Sequence, residues 1–242
     1  MDINEFAKIA VKHSMAKSEH NLLQYLDVLF NRYDFNGKSF LDIGGGTGVF
    51  THYAAICGAA RAICMEPESD GSTSGVTETF NSAKSALGLG DSVTLDKRLF
   101  QDFSGDPFDM VLLHNSINHL DEEACEKLMG SNDAKDTYIE LFKRLNLLVA
   151  PGGTLIVCDC GKRNFFNDFG MVNPFMKTIE WHKHQQPRVW GGLMEEAGFN
   201  VNCIKWNTFN SLGKAGPLLL GYLIPSYFTL SHFRLYATKA TV

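Results

Sequence analysis

The chain has 242 residues, 45% of them hydrophobic, and a formal net charge of −5. That is enough apolar material for a sizeable core, and the length suits one α/β domain over residues 1–242. Charges of both signs are interspersed without a basic block, so a surface that tracks nucleic-acid phosphates is not expected. The opening Met1-Asp2-Ile3-Asn4-Glu5 is acidic and polar, unlike a signal or transit sequence. Cys57, Cys64, Cys125, Cys158, Cys160 and Cys203 form no C-x-x-C pair and mostly sit in apolar runs. Reduced thiols in a cytoplasmic protein are the expectation.

In chain order, residues 3–33 carry two helical stripes, Ile3/Phe6/Ile9/Ala10 and Leu22/Leu23/Leu26/Leu29/Phe30, which predict helices packed over one edge of a sheet. Lys38 to Phe50 follows, and the rest of the chain is organised around it. Phe40, Leu41 and Ile43 form a short apolar run that stops at Gly44-Gly45-Gly46, and a helical segment over Val49–Cys57 begins just after Gly48. Strand, glycine turn and helix let a backbone approach a nucleotide-like ligand with no Cβ in the way, with the free N–H groups of the helix start facing it. Arg61–Met65 reads as a buried strand that ends at Glu66-Pro67. Glu66 lies 22 positions after Gly44, close to the roughly 20 at which doubly wound folds place an acid on a ribose diol. A carboxylate suits that task because it accepts two hydrogen bonds.

Gly71–Gly75 is a Ser/Thr/Gly loop, Val76–Leu87 a helix ended by Gly88 and Gly90, and Ser92–Leu95 the start of a third strand. Pro107–Leu113 is the clearest buried strand and runs into His114-Asn115-Ser116-Ile117-Asn118-His119-Leu120. A helix over about 137–149 leads into the turn Pro151-Gly152-Gly153 and a strand to Asp159. Residues 161–188 then break the rhythm, with several phenylalanines, Trp181, His182 and His184. A helix over Gly191–Ala197 and strands over Phe199–Phe209 and Ser231–Lys239 complete the chain. Between those strands, 212–230 is apolar but is interrupted by Pro225 and too short to span a bilayer. It is read as a lid, a self-association surface or a peripheral membrane contact.

Because position 49 is Val, Gly44-x-Gly46-x-Gly48 departs from the dinucleotide pattern G-x-G-x-x-G. It resembles motif I of the class I S-adenosylmethionine-dependent methyltransferases, (D/E)-x-G-x-G-x-G, with Asp42 in the acidic position. Gln101-Asp102-Phe103, the Phe108–Leu120 element and Pro151-Gly152-Gly153 resemble further landmarks of that family, in order, over about Leu22–Lys239. The resemblance implies a doubly wound, Rossmann-like seven-stranded sheet with the last strand antiparallel and helices on both faces. It also implies S-adenosylmethionine as cofactor and methyl transfer to a small-molecule acceptor. Carried over residue by residue, Asp42, Gly44, Gly46 and Gly48 would line the methionine and ribose, and Glu66 would hold the ribose hydroxyls. Asp102 would meet the adenine amino group, Phe103 would support the ring, and His114 would lie at the strand end beneath the sulfonium. Residues 161–188 would cap the site.

An imidazole titrates near neutrality and can deprotonate a hydroxyl. His119, His182 and His184 are therefore the candidate bases, and an oxygen acceptor is expected ahead of nitrogen. No metal is expected, because the fourth strand ends in His114-Asn115 and the fifth in Asp159-Cys160, unlike the catechol-type metal enzymes of the fold. Two alternatives stand beside this reading. One is a catalytically silent interaction protein that uses the apolar Leu218–Ile224 stretch; the other is a nicotinamide-dependent oxidoreductase.

Overall fold

Short apolar runs that end in glycine turns fold as parallel strands, and the amphipathic segments between them fold as helices. The computed structural model describes residues 2–30, 33–67, 75–213 and 215–240. Apart from Gly75, the expected Gly71–Gly75 loop lies outside the described residues. The chain divides into two compact units, Met1–Leu113 and His114–Val242.

In the first unit, α1 (Ile3–Lys12) is capped by the Asp2 side chain, which accepts from the Asn4 N–H. It is followed by α2 (Glu19–Phe30), β1 (Ser39–Ile43), α3 (Val49–Ile56), β2 (Arg61–Met65), α4 (Val76–Ala86), β3 (Val93–Asp96) and β4 (Phe108–His114). β1 pairs in parallel with β2 on one side and with β4 on the other, with Ile43 opposite both Met65 and Leu113. β3 extends the sheet beyond β2. The chain runs outward from β1 to β3 and then returns to β4, so connections diverge at the carboxyl ends of β1 and β4, where open α/β sheets bind ligands. The expected N-terminal helices close one face with aromatic rings. Phe30 stacks on Tyr53 of α3 with centroids 5.3 Å apart and meets Phe35 and Phe40 edge-on.

The second unit carries α5 (Glu122–Lys127), α6 (Asn132–Leu148), β5 (Val149–Cys160), α7 (Phe165–Asp168), α8 (Pro187–Glu196), β6 (Phe199–Trp206), α9 (Ala215–Leu220), α10 (Leu223–Tyr227) and β7 (His232–Lys239). β7 is antiparallel to both β5 and β6. The strand order through the chain is β3-β2-β1-β4-β5-β7-β6, and the seven strands with an antiparallel last strand are as the resemblance implies. Trp190 of α8 is fully buried against Tyr138 and Phe142 of α6.

Several boundaries differ from the periodicity, among them the end of β6, which stops at Trp206 rather than Phe209. α6 starts five residues early because Ser131 caps it, accepting from the Ala134 N–H. α8 starts at Pro187, a residue favoured at the first helical position. Pro151-Gly152-Gly153 lies inside β5 rather than before it, with Gly152 at φ +72°. The cysteines are free thiols, with Cys64, Cys125, Cys158 and Cys160 buried and Cys203 exposed.

Candidate active site

In the first unit the glycine turn joins β1 to α3. Gly44, Gly46 and Gly48 adopt φ of +70°, +52° and +80°, a region that side chains disfavour. The surroundings of the turn's glycines differ. A Cβ on Gly46 would point into open space. One on Gly48 would lie 2.5 Å from the Phe80 ring, and one on Gly45 would lie 2.6 Å from the Cys64 sulfur and 2.7 Å from Asp42 Oδ2. Gly46 therefore leaves room above the turn, Gly48 lets α4 pack close, and Gly45, which the motif spacing does not single out, is required by its buried neighbours.

Asp42 points inward from β1 and is fully buried. Its Oδ2 accepts from the Thr51 hydroxyl at 3.1 Å, while its Oδ1 is buried with no hydrogen-bond partner among the described residues. Burial pushes this carboxyl up to about 7, with the Glu66 carboxylate adding to the rise. Glu66 stands at the end of β2, and its Oε2 accepts from the Gly46 N–H at 2.9 Å, so strand end and glycine turn are locked together. Asp102 is exposed on a short 3-10 turn, Phe100–Asp102. The Phe103 side chain is buried toward Phe108, with the Arg98 guanidinium 4.9 Å from its ring centre. Arg98 grips the Asp96 carboxylate with its Nε and one terminal nitrogen, the shortest contact being 2.6 Å. No motif indicates this pair.

In the second unit the three candidate bases occupy different surroundings. His119 is exposed, and its Nδ1 lies 2.5 Å from Glu122 Oε1, a surface pair one helical turn apart. His182 is also exposed, with Nε2 3.6 Å from Glu126 Oε1. His184 is different. It is buried, and its Nδ1 lies 3.1 Å from Oδ1 of Asp159, a fully buried carboxylate near the carboxyl end of β5; the two atoms are close without being aligned as a hydrogen bond, and neither has a hydrogen-bond partner among the described residues. The 181–186 segment is held by α5, where Gln185 donates to the Cys125 carbonyl at 2.6 Å and the Cys125 thiol donates to the Lys183 carbonyl.

Beside this pair, β7 contributes a histidine that sequence reasoning missed. His232 is buried; its Nε2 donates to Asn115 Oδ1 at 2.8 Å, and its Nδ1 accepts from the Asn207 amide. Both ring nitrogens are used by one neutral tautomer. Burial first, then the neighbouring His114, Arg234 and His184, hold its pKa down to about 3. Burial likewise lowers His114, whose ring centre is 6.0 Å from that of His232, to about 4. Asn115 sits at φ +54°, a left-handed conformation that asparagine tolerates better than most residues. Its N–H donates to the Cys158 carbonyl, which fixes the turn after β4. The only sequence signal for this cluster is that Asn115 follows a buried strand; Asn207 and His232 fall in segments without a motif.

The sheet order and the strand–glycine–helix junction define the class I methyltransferase fold. A model of the methyltransferase domain matches residues 14–204. The chain belongs to this methyltransferase family, and S-adenosylmethionine is its cofactor. Solved structures share the fold at low identity. An S-adenosylmethionine-dependent methyltransferase of Aquifex aeolicus superposes with a TM-score of 0.60 at 16% identity, covering 98% of each chain. One from Mesorhizobium loti gives 0.60 at 12%, covering 89% of this chain and 98% of the other. The N,N-8-amino-8-demethyl-D-riboflavin dimethyltransferase of Streptomyces davawensis gives 0.57 at 16%, covering 94% of this chain but 57% of its own longer chain.

Proposed function

We propose that the chain works as one methyltransferase domain that transfers the methyl group of S-adenosylmethionine to a hydroxyl of a small, partly apolar molecule, with His184 as general base and Asp159 as the residue that orients it. The cofactor supplies an electrophilic methyl carbon, and the protein contributes position and, for a hydroxyl acceptor, a place for the proton. The Asp159–His184 pair carries the reading. A buried carboxylate beside Nδ1 favours the tautomer with its proton on that nitrogen and leaves the Nε2 lone pair to take a proton from the acceptor. His119 and His182 lack such a partner, because their carboxylates are exposed surface groups. His232 has both nitrogens occupied.

The residues of the glycine turn fit the cofactor. The open space above Gly46 admits a ligand backbone, and Asp42 Oδ1 is an unused buried acceptor of the kind that an ammonium group satisfies. Glu66 stands where a ribose diol is held in doubly wound folds. Gly44, Gly46 and Gly48 are assigned to the cofactor's methionine and ribose side, Asp102 and Phe103 to its adenine, and His114 to the strand end near the reacting carbon.

The nitrogen alternative has specific support: the Streptomyces davawensis relative is named as a dimethyltransferase of an amino-riboflavin. An amine needs positioning more than a base. The test is mass spectrometry of candidate alcohols, phenols and amines incubated with the protein and isotopically labelled S-adenosylmethionine, repeated with His184→Ala. Label on an oxygen that disappears in the variant supports the reading. Label on a nitrogen at undiminished rate replaces it.

A further inference from the structure

Two insertions leave the same edge of the second unit. One follows the carboxyl end of β5 at Cys160, and the other lies between the carboxyl end of β6 at Trp206 and the start of β7. In the sheet Cys160 is opposite His232 and Trp206 is opposite Phe233, so both insertions begin at one level. They pack on each other through polar groups. The buried Asn164 amide donates to the carbonyls of Tyr227 and Thr229 at 3.0 and 3.1 Å and to Ser231 Oγ at 2.9 Å. The buried Asn173 amide donates to the Thr229 carbonyl at 2.8 Å and to Asn164 Oδ1 at 3.1 Å, and the Tyr227 hydroxyl donates to Asp168 at 2.9 Å. Phe165 against Phe228 and Phe175 against Phe209, with centroids 4.9 and 5.0 Å apart, complete the junction.

This platform has amides inside and hydrocarbon outside. Leu218 and Ile224 are each 72% exposed and Val172 is 74% exposed, and Leu219, Leu223 and Phe169 project likewise. Folded monomers scatter exposed apolar side chains singly; a cluster on a hydrogen-bonded scaffold marks a contact surface. The charge around it is one-sided in a chain of net −5. No Asp or Glu follows Glu196, and Lys205 is exposed next to Trp206, where one of the insertions begins. From Gly161 to Ile179 the sole acid, Asp168, is taken by Arg163 at 2.7 Å, while Lys162 and Lys177 are added on the basic side. Apolar side chains on short helices, flanked by lysines and with Asp168 held by Arg163, fit the interfacial region of an anionic bilayer. There buried hydrocarbon and attraction to lipid head groups add. A partner protein that matched this surface would need acidic groups ringing an apolar patch; a second copy of this chain would bring the same basic rim against itself. No helix among the described residues is long and apolar enough to cross a membrane, so the contact is peripheral.

We infer that the platform formed by α7, α9 and α10 docks the protein on anionic membrane surfaces, on the strand-end edge that also carries Asp159. The test is flotation of the full chain with vesicles of phosphatidylcholine alone and of phosphatidylcholine with phosphatidylglycerol. It is run for the wild type and for the double substitution Leu219→Lys and Ile224→Lys. Binding is expected on the mixed vesicles, weakening with added salt, and falling about tenfold or more in the double variant. S-adenosylmethionine binding by calorimetry should be equal in the two proteins, which shows the variant to be folded and separates this inference from the catalytic assignment. Absence of flotation with both vesicles, equal flotation on neutral and anionic vesicles, or an unchanged variant overturns it. So does a wild-type dimer that the double substitution converts to a monomer, which would make the platform a self-association surface.

Discussion

In Met1–Leu113 the groups assigned to the cofactor's methionine and ribose lie on one strand–turn–helix of consecutive residues plus Glu66 at the next strand end, and they are held by backbone geometry. In His114–Val242 the groups assigned to the acceptor, Asp159 and His184, come from the end of β5 and the loop before α8, and the histidine cluster beside them, from the end of β4 and the start of β7, is held by side-chain contacts. The Gly46 N–H to Glu66 bond spans 20 residues, whereas His232 to Asn115 spans 117. A turn built from left-handed glycines tolerates little substitution at any point. A cluster built from separate side chains separates into members that act on a proton and members that hold others in place. The first unit should therefore respond to mutation through cofactor affinity, and the second through turnover at unchanged affinity.

The largest expected effect tests the first half of that contrast. Gly46→Val puts a β-branched side chain at φ +52° and into the open space above the turn. Calorimetry should detect no S-adenosylmethionine binding; retained binding would remove the turn from the cofactor site. Next comes His184→Ala, for which loss of a general base lowers kcat by about 10²–10⁴ on a hydroxyl acceptor. Cofactor affinity should be unchanged, and the acid-side rise of the kcat–pH profile should be altered. Asp159→Asn should reproduce part of that loss, since it acts through His184. If cofactor affinity fell as steeply as kcat, the two units would not divide the work as proposed.

Glu66→Ala comes third, with cofactor affinity weakened by roughly 1–3 kcal/mol through loss of hydrogen bonds to a charged acceptor. Wild-type affinity in a calorimetric titration of this variant would count against Glu66 as the ribose ligand.

Stability against pH adds a test of Asp42, because burial shifts carboxyl and imidazole groups in opposite directions. Asp42 is raised to about 7, so in the folded protein it favours its neutral form. Its contribution is complete below the ordinary carboxylate pKa of about 4 and is lost as pH rises through 7. His114 and His232 are lowered to about 4 and about 3. Their contribution is complete above the ordinary imidazole pKa of about 6.5 and is lost as pH falls toward those values. Asp42→Asn should therefore raise the thermal midpoint relative to wild type at pH 8 by more than it does at pH 5, without cofactor. His52 in the first unit is also lowered to about 4, so acid-side losses belong to both units and the alkaline-side loss to Asp42. A midpoint difference independent of pH would refute the assignment to Asp42.

The smallest effects are expected at His119→Ala and His182→Ala. Each loses an exposed contact with a surface carboxylate worth about 1 kcal/mol or less, and steady-state turnover should stay within about twofold of wild type. A large loss at either would move the base away from His184.

The sequence by itself determined the strand–glycine–helix junction, Glu66 at the end of the second strand, and the family. Each rests on neighbours in the chain: a run of apolar residues, glycines at fixed spacing, an acid just past a strand. Local backbone preference and hydrophobic periodicity act over such distances. Helix starts were misjudged where a cap or a proline, rather than periodicity, sets the boundary, as at Ser131 and Pro187. Tertiary structure alone separates the surroundings of the histidines. His119, His182 and His184 look alike in the chain, and their difference lies in whether the nearest carboxylate is on the surface or, as with Asp159, buried in a strand 25 residues away. It alone revealed that Gly45 is wedged against Cys64 and Asp42, that His232 holds Asn115, and that the leucines after Gly216 face outward from a scaffold fastened by Asn164 and Asn173. Burial and long-range pairing set these properties, and neither leaves a periodic trace in the order of the residues.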